Sequence, residues 1–527
     1  MPEGESLPSP SSFLERYRAG ELSDFFDLAA GDVEAAMAVP RDADRRRLAA
    51  VMRRHARRLG APDAVFRTIE RLEHPASRAV VTGQQTGLML GPGYTISKAV
   101  TAIRLAQRLD REDGPVVPVF WLASQDHDTE EVDHAYLLDG EEQLHRIGVS
   151  LTAEVAAGRA PVTSAMVRAV TDGMAALRPE PPFLVEATGL LEDAAAGAET
   201  YADWFASTLY RLLGEAGLAL FDPMQADAAE LLRPVLEREL SAPEATVAEV
   251  NEAGRRLKRL GFSPQLGRGS EATNLFLETE DEDPPRRVLL RHEGRNFRLE
   301  GRALTAAEVR ARLDADPAAL TPAAGLRPVV QDAVLPTAAV VLGPGELRYF
   351  AQLRGVYAQH GVAMPLVWPR ATATVLEPPA ARILDKYDLS VASFQADPGG
   401  CLERVVLARS GHGQRFRSAS DELEGLMERL LREVAGIDPT LQGTVERGRG
   451  YLEATLERLR GKTAEALERE DAITRRQFER LRSHLLPLGQ PAERVLSPFS
   501  SILKLGVGPV MRAFLSIGPE GDFELRI

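Results

Sequence analysis

Two widely separated stretches of this chain follow one order: an apolar run, a Gly-Pro-Gly turn, a helical pattern and a second apolar run. In the first, Ala79 to Thr82 lead into a loop carrying Gly83, Gly87, Gly91 and Gly93. Ile96, Val100, Ile103, Leu105, Ala106 and Leu109 then recur at three- and four-residue steps, and Val116 to Ala123 form the second run. In the other, Leu335 to Leu342 precede Gly343-Pro344-Gly345-Glu346, a helix from Leu347 to about His360, and Met364 to Trp368 ending at Pro369-Arg370. Strand, glycine turn, helix and strand, used twice, predict two halves of one parallel sheet joined by right-handed crossovers. The expected class is α/β, with a Rossmann-like core whose ligands bind at the carboxyl ends of the strands.

At 527 residues the chain has room for about two to four domains. Residues 1–378 are expected to form the core, with N-terminal helices, in which Ser23, Asp24 or Asp27 could cap the turns around Phe25. Insertions fall at about 139–330. Within these, NLFLETE and RRVLLRHEG (274–294) read as two antiparallel strands around an acidic turn. Residues 379–490 read as a helical coiled-coil domain. From Asp438-Pro439, a cap followed by proline, to Leu486 there is little to stop a helix, and Leu452, Leu456, Leu459 and Leu467 keep heptad-like spacing. Such a helix would span on the order of 70 Å, with a break expected near Gly448 and Gly450. Its apolar seam predicts a homodimer. Residues 491–527 are expected to pack back on the core.

The net charge of −14 argues against nucleic acid as a main partner, because affinity for phosphate backbones comes from clustered Lys and Arg. No run is long and apolar enough to span a membrane, and the polar amino terminus lacks the pattern of a secretory signal, so a cytoplasmic location is expected. The single cysteine, Cys401, permits no internal disulfide and makes a weak nucleophile candidate.

Candidate chemistry gathers at the first repeat. The glycine loop lets backbone approach a ligand, and Thr95 and Lys98 stand in the first turns of the following helix, where a hydroxyl and an ammonium could reach phosphate. The loop is neither a Walker motif nor a strict GxGxxG. Asp126, His127 and Asp128 end the second strand, placed to bind an ammonium, a metal or a transferred proton. Helix capping is the alternative for Asp128. Glu346, in the first turn of the second repeat's helix, either caps it or meets an amine. Metal-ligand spacing is absent, and no bound metal is expected.

Thr82-Gly83-Gln84-Gln85, Gly91-Pro92, Tyr94-Thr95, Lys98 and PVVPVFWLASQDHDTEEVDHAYLL (115–138) resemble the bacillithiol biosynthesis cysteine-adding enzyme family. So do Leu326-Arg327-Pro328, Gln331-Asp332, Gly343 to Glu346, Ala351-Gln352-Leu353, Pro369-Arg370 and Glu493-Arg494. The chain departs from the family pattern at Gly93, Ser124, Ala492 and Val162-Thr163. The resemblance implies a core related to class I aminoacyl-tRNA synthetases, connecting-peptide insertions and a dimerising coiled coil. The implied reaction joins L-cysteine to the amino group of glucosaminyl-malate, with ATP and its accompanying magnesium. On that basis Asp126, His127, Asp128 and Lys98 are the expected catalytic residues. Gly83, Gln84, Gln85, Gly91, Pro92, Tyr94 and Thr95 would contact ATP, and Gln331, Asp332, Glu346, Gln352 and Arg370 the substrates. The alternatives are a non-catalytic, nucleotide-binding coiled-coil module and a synthetase-like nucleotidyltransferase with another amino-acid substrate.

Overall fold

The computed structural model describes residues 10–527, Ser270 and Arg295 excepted. Its centre is a parallel sheet of β1 (Arg78–Gln84), β2 (Val116–Leu122), β3 (Ala219–Phe221), β4 (Thr337–Leu342) and β5 (Leu366–Pro369), in the order β5-β4-β1-β2-β3. β2 and β4 are buried at every position, which is why they read as unbroken apolar runs rather than alternating ones. The chain steps from β1 outward through β2 to β3, then returns to lay β4 on the other side of β1. Strand order therefore reverses between β1 and β4, and a crevice opens beyond their carboxyl ends. The two sequence repeats are the two sides of that crevice.

Helix α1 (Tyr94–Leu109) follows the glycine loop. Its sequence pattern shows one apolar face, yet Thr95, Ser97, Lys98 and Thr101 are buried as well. The cause is a second cover: the helix Val507–Leu515 packs on α1, so the C-terminal segment does return to the core. The second repeat's helix is split. α2 (Pro344–Phe350) stops before a separate helix at Arg354–His360.

In the N-terminal layer, Asp32 and Asp44 cap helices with their side chains, whereas the turn Ser23–Phe25 has no side-chain cap. The insertion carries an antiparallel sheet of five strands, Leu320–Pro322, Ala272–Glu278, Arg287–Glu293, Asn296–Leu299 and Arg302–Thr305, paired in that order. Two of these were visible in the sequence. The other three hold only three or four residues each, too few to show an alternation.

Beyond residue 376 a separate hydrophobic cluster forms around Ile383, Phe394, Phe478 and Leu481. From it extend two helices, His412–Ile437 and Gln442–Glu470, packed on each other across a short Asp438–Leu441 connection. The expected break at Gly448 and Gly450 is absent. Each glycine costs a helix about 1 kcal/mol, which a long helix packed along its partner absorbs. The break comes at Asp471, whose carboxylate accepts the Thr474 N–H at 3.0 Å and starts the helix Ala472–Leu485. The longer hairpin helix therefore measures about 43 Å rather than 70 Å. Among the described residues no helix is long and apolar enough to cross a membrane.

Candidate active site

The crevice at the reversal point holds a cleft of about 300 Å³. Gly83, Gln84 and Gln85 enter from the end of β1, Trp121 and Asp126 from β2, Gly343 to Glu346 from β4 and α2, and Arg370 from the end of β5. Arg327 and Gln331, on the helix Arg327–Val334, form another wall, and Arg494 reaches in from the C-terminal segment. Gly83 is required by packing: a Cβ there would lie 2.7 Å from the Trp121 carbonyl oxygen. The strands pinch together where the cleft begins.

At the floor, Lys98 and Glu346 join the two halves. Lys98 Nζ donates to Glu346 at 2.7 and 2.9 Å, to Gln84 Oε1 at 3.1 Å and to the Gly83 carbonyl. Burial pushes the Lys98 ammonium below its ordinary pKa, against the pull of Glu346. Glu346 also accepts the Gly343 N–H at 2.8 Å. Glu346 thus caps α2, and the amine it meets here is the chain's own Lys98 rather than a ligand's. Lys98 lines the cleft, where protein oxygens surround its ammonium, so a phosphate would have to share or displace them.

The acidic strand end divides. Asp126 lines the cleft; its Oδ1 accepts the N–H groups of His127 at 2.8 Å and Asp128 at 3.3 Å, and its Oδ2 accepts Gln85 Nε2 at 2.9 Å. Burial opposes its charge, but Arg327, Gln85 and Arg287 outweigh burial and hold the carboxyl below its usual pKa. It is an ionised acceptor, poorly suited to taking a proton. His127 turns away to the insertion sheet, where its Nδ1 lies 2.9 Å from Arg287 and its ring packs on Phe276. Burial and the Arg287 charge lower its pKa. With Nδ1 accepting from a guanidinium, the neutral ring carries its proton on Nε2, and no lone pair is left for general-base work. Asp128 is exposed at the start of the short helix Thr129–Val132, outside the cleft.

Arg370 lines the cleft, but its two terminal nitrogens grip Glu493 at 2.9 and 2.5 Å, and its guanidinium lies over the Tyr94 ring. Tyr94 lines the cleft, and burial raises its pKa. The Gly91 and Pro92 backbone faces a neighbouring cavity of about 190 Å³, shared with His134, Tyr136 and Gln490. There the C-terminal segment covers the start of α1: Gly93 N–H donates to Leu496 O at 2.8 Å, and Ser497 Oγ to Met89 O at 2.8 Å. Thr95 is fully buried beneath this and lies outside both cavities.

Gln331 lines the cleft, but the neighbouring Asp332 points into the core, bonded to Tyr357 Oη and Gln331. Burial raises its pKa. Gln352 is fully buried and accepts from Gln265 and Leu266 N–H groups at 2.8 Å while donating to Leu266 O at 2.8 Å and Val250 O at 3.2 Å. It laces the insertion to the core and does not line the cleft. Cys401 is buried in the helical domain. His55, Asp203 and Asp222 come within 4.8 Å of one another, but Arg58 grips Asp203 at 2.6 and 2.9 Å. That cation already engages both oxygens of the Asp203 carboxylate.

Three cleft residues had no assigned role in the sequence. Arg327 makes one weak hydrogen bond, to Tyr349 Oη at 3.4 Å; burial opposes its charge, and Tyr349, Asp126 and Glu346 outweigh burial and raise its pKa. Trp121, 2% exposed, has an indole N–H without a partner among the described residues. Arg494 is exposed and borders both cavities. Motif matching had marked both arginines, but only their position beside the cleft tells them from the chain's many others.

Residues 6–371 match the family described as Bacillithiol biosynthesis BshC, N-terminal Rossmann-like domain, and residues 373–515 match its C-terminal coiled-coil domain. A Thermus thermophilus protein named "Putative cysteine ligase BshC" is 42% identical over 83% of this chain and 86% of its own length. Proteins of the same name from Salinibacter ruber and Solibacter usitatus are 34% identical over 88% of this chain and 85% of theirs, and 31% identical over 95% and 94%. The matches span both the sheet that carries the cleft and the coiled coil beyond it, and the chain belongs to the bacillithiol biosynthesis BshC family of ligases.

Proposed function

We propose that this chain is an ATP-dependent cysteine ligase that forms an amide between L-cysteine and the amino group of glucosaminyl-malate. The observation that carries this reading is the charge layout of one cleft at the strand reversal. An ionised Asp126 offers a seat for an ammonium, and Arg327 and Arg494 offer cations to anionic groups, with no carboxylate paired to them among the described residues. The names of the relatives point to cysteine, and the amino-sugar acceptor and ATP follow from the family resemblance of the motifs.

The donor set fits a polyanion at the cleft mouth. Arg494, exposed and unpaired, with the backbone at Gly83 and the amide of Gln84, would hold the nucleotide phosphates. ATP, when bound, supplies the leaving group that turns a carboxylate into an acylating agent. The Lys98–Glu346 pair leaves the cleft floor electrically neutral, so that Glu346 does not repel an approaching anion. Asp126, held by two backbone N–H groups and Gln85, fixes the direction of the ammonium it accepts, and such positioning supplies a large part of rate enhancement. The walls of Trp121, Val340, Leu342 and Phe350 keep water from the reacting carboxylate.

Purified protein incubated with ATP, L-cysteine and glucosaminyl-malate should yield the amide by mass spectrometry. Folded protein that gives no amide under these conditions would overturn the proposal.

A further inference from the structure

The cleft presents two opposite charges that do not touch. Elsewhere in this chain, buried and half-buried arginines and carboxylates close on each other: Arg58 on Asp203 at 2.6 Å, Arg159 on Glu278 at 2.9 Å, Arg370 on Glu493 at 2.5 Å. Arg327 and Asp126 share a cavity and lie in each other's field, yet no ion pair joins them. Asp126 is held in place, and so is the backbone that carries Arg327. The helix that begins at Arg327 is anchored by Leu326, Val329 and Val330, all fully buried, and Asp126 is pinned on three sides by hydrogen bonds. Two opposed charges in one cleft, without an ion pair between them, leave a gap that a molecule bearing both signs would fill.

We infer that Asp126 and Arg327 form a cradle for the zwitterionic end of a small α-amino acid, with Arg327 taking the α-carboxylate and Asp126 the α-ammonium. A guanidinium fork matches a carboxylate plane through two parallel hydrogen bonds, and Arg327 brings nearly all its donors to the site, since its bond to Tyr349 is long. The adjoining apolar wall of Leu342 and Phe350 suits a small, weakly polar side chain such as a thiol. An analogue lacking either charge leaves a buried group unpaired, so the cradle selects amino acids over simple amines and simple acids. This assignment rests on the ligase reading and adds to it the residues that distinguish the amino-acid substrate.

The test is calorimetric binding to the full-length protein, with a non-hydrolysable ATP analogue present and absent. The probes are L-cysteine, cysteamine (no carboxylate) and 3-mercaptopropionate (no ammonium). Wild type should bind L-cysteine about 100-fold more tightly than either fragment, the range expected for a charge-assisted contact. Arg327→Met should bind L-cysteine no better than cysteamine, with cysteamine affinity unchanged. Should Arg327→Met not fold, Arg327→Lys keeps the charge without the fork and should weaken L-cysteine by about 10-fold. In turnover, the KM for cysteine should rise and that for the amino-sugar conjugate stay put. A folded Arg327 variant that keeps the wild-type preference for L-cysteine over cysteamine, or whose KM shift falls on the amino-sugar conjugate, overturns the assignment and leaves the ligase reading standing. Wild-type protein that binds none of the three probes overturns both.

Discussion

The Lys98 ammonium and the Glu346 carboxylate meet at 2.7 Å across the seam between β1 and β4, with the lysine side chain 1% exposed. Removing one member of a buried pair strands the other, at a cost of about 3–5 kcal/mol. Lys98→Met should lower the unfolding free energy by an amount near the bottom of that range, because Glu346 keeps some contact with water. Combining it with Glu346→Gln should restore part of the loss. Urea denaturation of the four proteins in the cycle measures the coupling, and additive losses would show that the pair does not act as a unit.

His484 ties the pH response to the junction between core and helical domain. It is 5% exposed, near Glu142, Glu377, Arg480 and Lys504, and burial, aided by the Lys504 and Arg480 charges, pushes its pKa down to about 3. The unfolded chain binds this proton near pH 6.5, and the folded one only near pH 3. The stability His484 contributes is therefore complete above about pH 6.5 and falls with pH below that, by up to about 1.4 kcal/mol per unit, levelling near pH 3. Thermal melts of wild type and His484→Gln from pH 7.5 to 4.5 should converge as pH falls. Parallel curves would refute the assignment.

Gln352 offers a clean separation of structure from substrate binding. Gln352→Leu leaves backbone groups of Val250, Gln265 and Leu266 without their partner, worth about 2–4 kcal/mol in total. Stability should drop by that much while L-cysteine affinity, measured below the unfolding transition, changes less than about twofold. A large loss of affinity with unchanged stability would instead place Gln352 at the substrate.

The helical hairpin bares Ile437 and Tyr451, 82% and 79% exposed, along with Leu452 and Leu459. A second copy covering this seam would bury them. Full-length protein should run as a dimer in light scattering, and Tyr451→Glu with Leu459→Glu should yield a folded monomer, since two charges in an apolar seam outweigh its burial. A dimer that survives both substitutions would place the contact elsewhere.

The sheet could be anticipated because β2 and β4 are apolar throughout, and a run such as VVPVFWL admits few other environments. The helical hairpin was half legible: its heptad-like leucines showed a long helix, but Asp471, one acid among many in that stretch, gave no sign of being the cap that ends it. The site was legible where the chain itself brings residues together, as in Gly83 to Gln85 and at Asp126. It was illegible where function depends on what a side chain is spent on. Arg370 and Arg327 look alike in sequence, and only the arrival of Glu493, from far along the chain, occupies the first and leaves the second open. The place of Gln352 was illegible for the same reason, since its partners Val250 and Leu266 lie in the insertion.

Because Glu493, Leu496 and Ser497 fasten Arg370, Gly93 and Met89, the order of synthesis bears on when this protein becomes active. The sheet, the insertion and the whole helical hairpin leave the ribosome before those three residues do. A nascent chain can assemble its strands and pair its hairpin while one wall of the cleft is still missing. The cleft therefore waits on residues made after the hairpin, and a chain cut short at the hairpin's end would lack Arg494 and the contacts that Glu493, Leu496 and Ser497 make.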